Sequence, residues 1–194
     1  GARFPASVAW VGAAFDTVTA TANLYDVLLF SSAGNNGETV DGEDCLGDLC
    51  WEEAFYSPCE NAGVICVGGL ATASTNWHTS SNFGTENVNI WGPYRMYVGF
   101  DPGANSGMLN QAKNGTSFSS PFVAGVAALI WAANPSLSDH QVENILFDTA
   151  HKIENCITPT VCVKWKIVNA SGAVYKALGN IPPDVTIVSP SGGA

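Results

Sequence analysis

The sequence NGTSFSSPFVAGVAALI, residues 114–130, joins a polar turn to a long apolar run. From Pro121 to Ala133 every residue is apolar or Gly, which predicts a helix buried on all sides at the centre of a domain. Pro121 fits its first turn, where the missing N–H costs nothing, and Asn134 before a proline ends it. We therefore expect the Ser117 hydroxyl at the N–H-rich end of a buried helix, where an anion is stabilised.

This stretch closely resembles the serine motif of the subtilisin-like proteases (subtilases), Gly-Thr-Ser-x-Ser/Ala-Ser-Pro-x-Val-Ala-Gly. The matching positions are Gly115, Thr116, Ser117, Ser119, Ser120, Pro121, Val123, Ala124 and Gly125. The resemblance implies a subtilisin-like three-layer α/β/α fold with a mostly parallel sheet, of which this chain would form a part. It also implies that Ser117 is the nucleophile, that Thr116 lies at the substrate site, and that Gly125 lets a neighbouring element pack closely.

A second motif follows the apolar run at 27–31, which predicts a parallel strand covered on both faces. The turn after it, SAGNNG at 32–37, lies at the strand end where open α/β sheets bind ligands. Alone it would be an ordinary Asn-Gly turn, but it resembles the subtilase segment Ala-Ala-Gly-Asn. The resemblance implies that Asn35 is an oxyanion donor. It also implies that Ser32, Ala33 and Gly34 form one wall of the pocket that holds the substrate residue before the scissile bond. Those small side chains predict room for a sizeable apolar residue.

Weaker similarities extend the match to most of the chain. The run at 63–69 predicts a second buried strand, and the segment at 167–178 resembles the short helix that closes subtilase domains. We expect residues 1–179 to be the C-terminal part of a subtilisin-like peptidase domain. Residues 180–194 are expected to be a linker and the first strand of another module, for which an immunoglobulin-like β-sandwich is the candidate.

Two further helices are predicted from hydrophobic spacing. The segment from Val11 to Tyr25 has apolar residues at helical spacing, namely Ala14, Phe15, Val18 and Ala22. A later helix starts at a capping box formed by Ser138 and Gln141. Its core-facing residues are expected to be Val142, Ile145, Leu146 and Thr149.

The general base of a subtilase is not recognisable in these residues. Subtilases carry Asp, His and Ser in that order, and neither Asp-Ser-Gly nor His-Gly-Thr occurs here. His78, His140 and His151 are expected to be exposed and unrelated to catalysis. We therefore expect the base and its Asp in an upstream half of the same catalytic domain, and this piece to be inactive alone.

Two other functions remain open at this point. An α/β-hydrolase esterase would use Ser117 with His151 and either Asp139 or Asp148. Position 119 is Ser instead of the required Gly, and residues 109–113 are too polar for the buried strand that should precede the serine. A catalytically dead subtilase fold, kept as a binding or structural module, is the other alternative.

Composition narrows the possible partners. The net charge of −10 argues against nucleic acid and anionic membranes, so protein or peptide substrates are the expected partners. The apolar helix, at about 13 residues, is shorter than the roughly 20 that cross a bilayer. No cofactor is expected. The acidic loop from Asp41 to Glu53 makes a structural calcium ion conceivable, although its spacing matches no EF-hand.

Six cysteines indicate an oxidising compartment and a secreted protein. Sequence alone leaves 15 possible pairings, and short spacing favours three local pairs. These pairs are Cys45/Cys50, Cys59/Cys66 and Cys156/Cys162. The spacings do not fit a zinc site, which needs tighter pairs or nearby histidines.

Overall fold

The computed structural model describes residues 2–41, 43–46, 49–52, 54–98, 111–158 and 161–179. Its strands are β1 (Ala2–Pro5), β2 (Leu29–Ser32), β3 (Glu43–Leu46), β4 (Leu49–Glu52), β5 (Ala54–Ser57), β6 (Val64–Leu70), β7 (Ile90–Pro93), β8 (Arg95–Val98), β9 (Gln111–Asn114), β10 (His151–Thr158) and β11 (Val161–Ile167). Its helices are α1 (Ala9–Ala13), α2 (Asp16–Asn23), α3 (Thr116–Ala133), α4 (Asp139–Asp148) and α5 (Ala170–Ala177), with a 3-10 turn at Ala6–Val8.

A central sheet of the described strands has the order β10-β11-β7-β6-β2. β2, β6, β7 and β11 run parallel, while β10 returns antiparallel to β11. Three shorter ribbons pair β1 with β5, β3 with β4, and β8 with β9. The predicted α/β class with a mostly parallel sheet is confirmed. Within the described part of the chain, β2 is an edge strand.

Helix α3 packs across one face of this sheet and touches β2, β6 and β7. It begins at Thr116, five residues before the start predicted from the apolar run, and has 18 residues. Pro121 therefore lies inside the helix, and the prediction that it occupies the first turn is wrong. The predicted length of about 13 residues is also wrong, since α3 has 18 residues. By length and composition alone, a helix of this kind could cross a bilayer. Its contacts with three strands and with α4 and α5 make it a core helix.

Only one side of α3 is buried by the residues that the structure describes. Its buried face contains Val123, Val126, Ala127 and Ile130. The opposite side, the exposed face, contains Pro121, Phe122, Gly125, Ala128, Leu129 and Ala132. A Cβ atom added to Gly125 would meet nothing within 4 Å among those residues. Burial on all sides is thus not observed, and the close neighbour expected at Gly125 is not among the described elements.

The first predicted helix is broken into α1 and α2, which meet around Ala14 and Phe15. Phe15 and Val18, two of the four apolar residues at helical spacing, are 50% and 62% exposed. Trp10 is exposed as well. The periodicity correctly indicated helix, but the partner that would bury this face is not among the described residues.

The C-terminal helices follow the sequence closely. The capping box is present, with Gln141 N–H donating to Ser138 Oγ over 3.3 Å and Ser138 N–H donating to Gln141 Oε1 over 2.9 Å. Val142, Ile145 and Leu146 are buried in the same cluster as the buried face of α3. α5 confirms the short helix predicted near the end of the domain. The segment 180–194 lies outside the described residues.

A disulfide joins Cys59 to Cys66 of β6, which confirms one predicted local pair. For the other two pairs the backbone register places Cys45 opposite Cys50 and Cys156 opposite Cys162. The side chains of these four cysteines lie outside the described residues, so their pairing stays a prediction.

Candidate active site

Ser117 is the second residue of α3, and its side chain is exposed. The turn before it depends on Gly115, whose φ of 141° is unfavourable for other residues. The Gly115 N–H donates to Tyr94 O over 2.9 Å, which ties the start of the helix to the end of β7. The Gly115 carbonyl then accepts from the N–H groups of Phe118 and Ser119. Ser117 is therefore presented at the helix N-terminus by a hydrogen-bonded turn.

The Ser117 N–H is one of the donors that a helix N-terminus leaves without an intrahelical partner. Among the described residues, the Thr116 N–H donates to Asn35 Oδ1, whereas the Ser117 N–H forms no hydrogen bond. An exposed backbone N–H beside a serine hydroxyl is suited to bind a developing oxyanion.

Asn35 is brought to Ser117 by Thr116. The Asn35 Oδ1 atom accepts from Thr116 N–H over 2.8 Å and from Thr116 Oγ1 over 3.1 Å. Thr116 Oγ1 in turn accepts from Gly34 N–H over 3.1 Å. These bonds join the turn after β2 to the start of α3 across 81 residues of sequence. With Oδ1 engaged, the NH₂ group of Asn35 is the end of the side chain that can donate to a ligand.

Thr116 itself is fully buried, so it lies behind the site instead of lining it. Its hydroxyl and its N–H both contact the 34–35 turn. The geometry gives this residue a positioning contact with Asn35, and its place at the substrate site stays a prediction.

Asn82, which the sequence analysis did not single out, holds the same turn from the other side. It is 2% exposed, and its Oδ1 accepts from Asn36 N–H over 2.9 Å and from Glu38 N–H over 3.2 Å. Its Nδ2 donates to Ala33 O over 3.0 Å. The signal available in the sequence was a single Asn in a loop-rich region, which predicts no particular partner.

A cleft of about 310 Å³ opens beside Ser117 and Asn35. One wall is the predicted segment Ser32, Ala33 and Gly34. The opposite wall comes from β1 and β5 and includes Arg3 and Tyr56, which sequence reasoning had not assigned. The structure thus brings the predicted wall, Asn35 and Ser117 to one cleft.

No histidine hydrogen-bonds Ser117 Oγ within the described residues. His78 is half-buried, stacks on Tyr94 at 4.1 Å between ring centroids, and accepts from Ser80 N–H through Nδ1 over 3.1 Å. The prediction that His78 is exposed is therefore wrong, because an aromatic neighbour covers it. His140 is exposed as predicted, whereas His151 is half-buried at the start of β10.

The strand preceding Ser117 is β9, which pairs only with β8 in a two-stranded ribbon of the described structure. The nucleophile elbow of an α/β-hydrolase instead follows a strand of the main sheet. This difference removes the structural basis for the esterase alternative.

The described residues contain no group of three or more His, Cys, Asp or Glu side chains that could hold a metal ion. Asp41, at the start of the acidic loop, accepts hydrogen bonds from the N–H groups of Thr85, Glu86 and Asn87. Most of the remaining loop side chains lie outside the described residues, so the calcium expectation stays a prediction.

Comparison with known proteins agrees with this geometry. A profile of the Subtilase family matches residues 4–179. Mycosin-2 of Mycobacterium tuberculosis is 28% identical over 152 residues, which cover 67% of this chain and 27% of that protein. The M-protease of Shouchella clausii is 32% identical over 129 residues, covering 66% of this chain and 29% of its own length. The calcium-dependent protease of Trichormus variabilis is 30% identical over 177 residues, which cover 83% of this chain and 26% of that protein.

Solved structures show the same fold. A lanthipeptide protease superposes with a TM-score of 0.66 at 21% identity, covering 84% of this chain and 54% of that one. The patellamide maturation protease PatA superposes with a TM-score of 0.60 at 26% identity, covering 85% of this chain and 56% of that one. This chain spans only 26 to 29% of the three curated relatives named above. The chain belongs to the subtilase family.

Proposed function

We propose that this chain supplies the nucleophile and the oxyanion donors of a serine endopeptidase. The observation that supports the proposal is the contact between Thr116 and Asn35, which holds the Asn35 carboxamide beside Ser117. Ser117 Oγ attacks the carbonyl carbon of a peptide bond, and the carbonyl oxygen acquires a negative charge. The Asn35 NH₂ group and the Ser117 N–H stabilise that charge. Collapse of the tetrahedral intermediate gives an acyl-enzyme and releases the amine, and water then hydrolyses the ester.

The reaction also needs a general base, because a serine hydroxyl is a weak nucleophile near neutral pH. We propose that a His and its Asp come from an upstream half of the same domain, outside these 194 residues. The exposed face of α3 indicates where that half would lie. Pro121 and Gly125 follow Ser117 at intervals of four residues, so all three positions share one side of the helix. An apolar element laid along this face would end beside the Ser117 hydroxyl.

The same half would cover other unpartnered surfaces of the described chain. β2 is an edge strand with open backbone groups, and Trp10, Phe15 and Val18 are exposed apolar side chains nearby in sequence. Exposed apolar patches of this kind mark surfaces that another element covers. We propose that residues 1–179 are one part of the peptidase domain and that residues 180–194 begin a separate module.

Protein or peptide substrates and a secreted location complete the proposal. The Cys59–Cys66 disulfide is typical of an oxidising compartment. The net charge of −10 is unfavourable for nucleic acid and anionic membranes. No cofactor takes part in the chemistry proposed here, and a structural calcium ion remains compatible with the acidic loop.

The decisive experiment uses the full-length protein and a fluorophosphonate probe. The probe should label Ser117, and Ser117→Ala should abolish both labelling and peptide hydrolysis. The matched control is Ser119→Ala, since Ser119 Oγ donates to Pro93 O over 3.0 Å and is buried in the same turn. Labelling at another serine would refute the assignment, and a folded protein that takes no label would favour the binding-module alternative.

Asn35→Ala tests the oxyanion donor separately. The fold should persist, while kcat falls by about 10²–10³-fold, the range found in subtilisin for removal of one such donor. Asn76→Ala, at an exposed loop position, serves as the control and should leave kcat unchanged. Unchanged turnover in Asn35→Ala would exclude Asn35 from transition-state stabilisation.

A further inference from the structure

Asn82 holds the main chain on both sides of Asn35. The Asn82 N–H donates to Gly34 O over 2.9 Å, and Asn82 Oδ1 accepts from Asn36 N–H over 2.9 Å. The Gly34 carbonyl belongs to the peptide group before the Asn35 Cα atom, and the Asn36 N–H belongs to the peptide group after it. Both peptide planes that meet at Asn35 are therefore bonded to the same residue.

The Asn82 carboxamide adds two more bonds to this turn. Its Oδ1 atom also accepts from Glu38 N–H over 3.2 Å, and its Nδ2 atom donates to Ala33 O over 3.0 Å. The turn lies so close to this group that a Cβ atom on Gly34 would lie 2.5 Å from Asn82 Nδ2. Asn82 borders the cleft beside Ser117, but it is only 2% exposed, and the turn engages both ends of its carboxamide.

Asn82 is itself anchored to the central sheet through Ser81. Ser81 is fully buried, and its Oγ atom accepts from the Gly69 N–H of β6 over 2.9 Å and donates to Asn82 O over 2.8 Å. The far end of the turn is tied to the opposite wall of the cleft, because Tyr56 Oη donates to Glu38 Oε2 over 3.2 Å. The turn is therefore attached to β6 and β5 as well as to the start of α3.

Asn82 and Thr116 act on different parts of Asn35. Thr116 binds the side-chain Oδ1 atom, which leaves the NH₂ group to donate, whereas Asn82 binds the adjoining main chain. An oxyanion donor is effective when it is held in place before charge develops, and a misplacement of about 1 Å can cost about 10²-fold in rate. We propose that Asn82 is a positioning residue that acts through Asn35, by fixing where the carboxamide of the oxyanion donor lies. The inference rests on the proposed peptidase function.

A double-mutant cycle in the full-length protein tests the inference. In the wild-type background, Asn82→Ala should lower kcat for peptide cleavage by about 10- to 100-fold, with a smaller change in KM, because the donor is misplaced in the transition state. In the Asn35→Ala background the same substitution should lower kcat by no more than about 2-fold, since no donor is left to position. A residue that only stabilises the fold, or one that contacts the substrate directly, should give the same loss in both backgrounds.

Two further variants complete the comparison. Asn82→Asp keeps the shape of the side chain and its acceptor but removes the donor to Ala33 O, so it should show the same dependence on Asn35 if the alanine variant does not fold. Asn61→Ala is the matched control, because Asn61 is 3% exposed, its Nδ2 atom donates to Gly12 O over 3.0 Å, and it does not line the cleft. It should lower the unfolding temperature, and any change in kcat should be equal in both backgrounds.

Labelling of Ser117 by the fluorophosphonate probe separates this inference from the proposed function. If Ser117 is labelled and Asn35→Ala slows turnover, but the Asn82 variants lose the same factor in both backgrounds or lose nothing, the positioning role is wrong while the peptidase assignment stands. The same conclusion follows if circular dichroism shows that neither Asn82 variant folds, because Asn82 would then be required for folding itself.

Two other outcomes act on the proposed function as well. If Ser117 is labelled and Asn35→Ala leaves turnover unchanged, the oxyanion role of Asn35 and this inference both fail, while Ser117 remains the nucleophile. If the wild-type protein neither takes the label nor cleaves peptides, the proposed function fails and this inference fails with it.

Discussion

Both faces of α3 are apolar, but one is covered by the described chain and the other is exposed. The buried face carries Val123, Val126, Ala127 and Ile130, which pack against the sheet and the C-terminal helices. The exposed face carries Phe122, which is 36% exposed, and Leu129, which is 53% exposed. Gly125 also lies on this face, where an added Cβ atom would meet nothing within 4 Å among the described residues. Apolar composition therefore predicted that both faces would be covered, whereas the described chain covers only one of them.

An apolar helix face that the described chain leaves uncovered indicates a partner that covers it. A glycine in an exposed helix interior costs about 1 kcal/mol relative to alanine, so its presence needs a reason outside the described contacts. Close approach by another backbone is the usual reason. The following experiments either remove the difference between the two faces or measure it more finely.

The largest expected effect is the contrast between Ile130→Ala and Leu129→Ala. In the 194-residue chain, Ile130→Ala should lower the free energy of unfolding by about 2–5 kcal/mol, because it removes a fully buried side chain. Leu129→Ala should change it by no more than about 0.5 kcal/mol. Urea unfolding of both variants measures the gap. In the full-length protein the gap should narrow, and an unchanged gap there would contradict coverage of the exposed face.

A smaller effect with a change of sign is expected at Gly125. In the 194-residue chain, Gly125→Ala should raise the free energy of unfolding by up to about 1 kcal/mol, since alanine favours helix and the added methyl group would displace none of the described residues. In the full-length protein the added methyl group should be destabilising and should reduce peptidase activity. A stabilising effect in both settings would mean that no element approaches this position closely.

The smallest effect concerns α4 and α5, the helices that cover the buried face of α3. Lys176 Nζ lies 2.8 Å from Asp148 Oδ2, and this bond holds the pKa of the Asp148 carboxyl below its usual range. A lowered folded-state pKa adds stability above the unfolded-state value of about 3.9, and that stability is lost as the pH falls through the folded-state value. The side chains are 40% and 61% exposed, so Asp148→Asn should cost less than about 0.5 kcal/mol at pH 7. A difference that persists at about pH 2 would rule out this electrostatic origin.

Local chemistry made some elements predictable from sequence. The capping box at Ser138, the strand leading to Asn35 and the short last helix each depend on residues close together in the chain, and all three are present. The proposal that Ser117 is the nucleophile also comes from a local pattern, the serine motif. The start of α3 was misplaced because residues 116–120 were interpreted as part of a polar turn, whereas they form the first turns of the helix.

Long-range contacts were not predictable in the same way. Asn82 and Tyr56 act through partners that no local pattern specifies, such as Ala33 at a separation of 49 residues. Arg3 was not recognised because its place in the cleft follows from the pairing of β1 with β5. The break between α1 and α2 was missed because helical periodicity carries no information about which neighbours will bury each face.

The contact between Asn35 and Thr116 also limits which amino acids are compatible with position 35. The Asn35 Oδ1 atom accepts from the Thr116 N–H, and in the proposed mechanism the NH₂ group of the same carboxamide donates to the substrate oxygen. An aspartate has the same shape, but it would offer only acceptors and would set a negative charge against a forming oxyanion. A leucine has a similar size and can do neither task. The proposed mechanism thus requires asparagine at position 35 for its one acceptor and its one donor group, a requirement that a substitution scale based on size or hydrophobicity would not reveal.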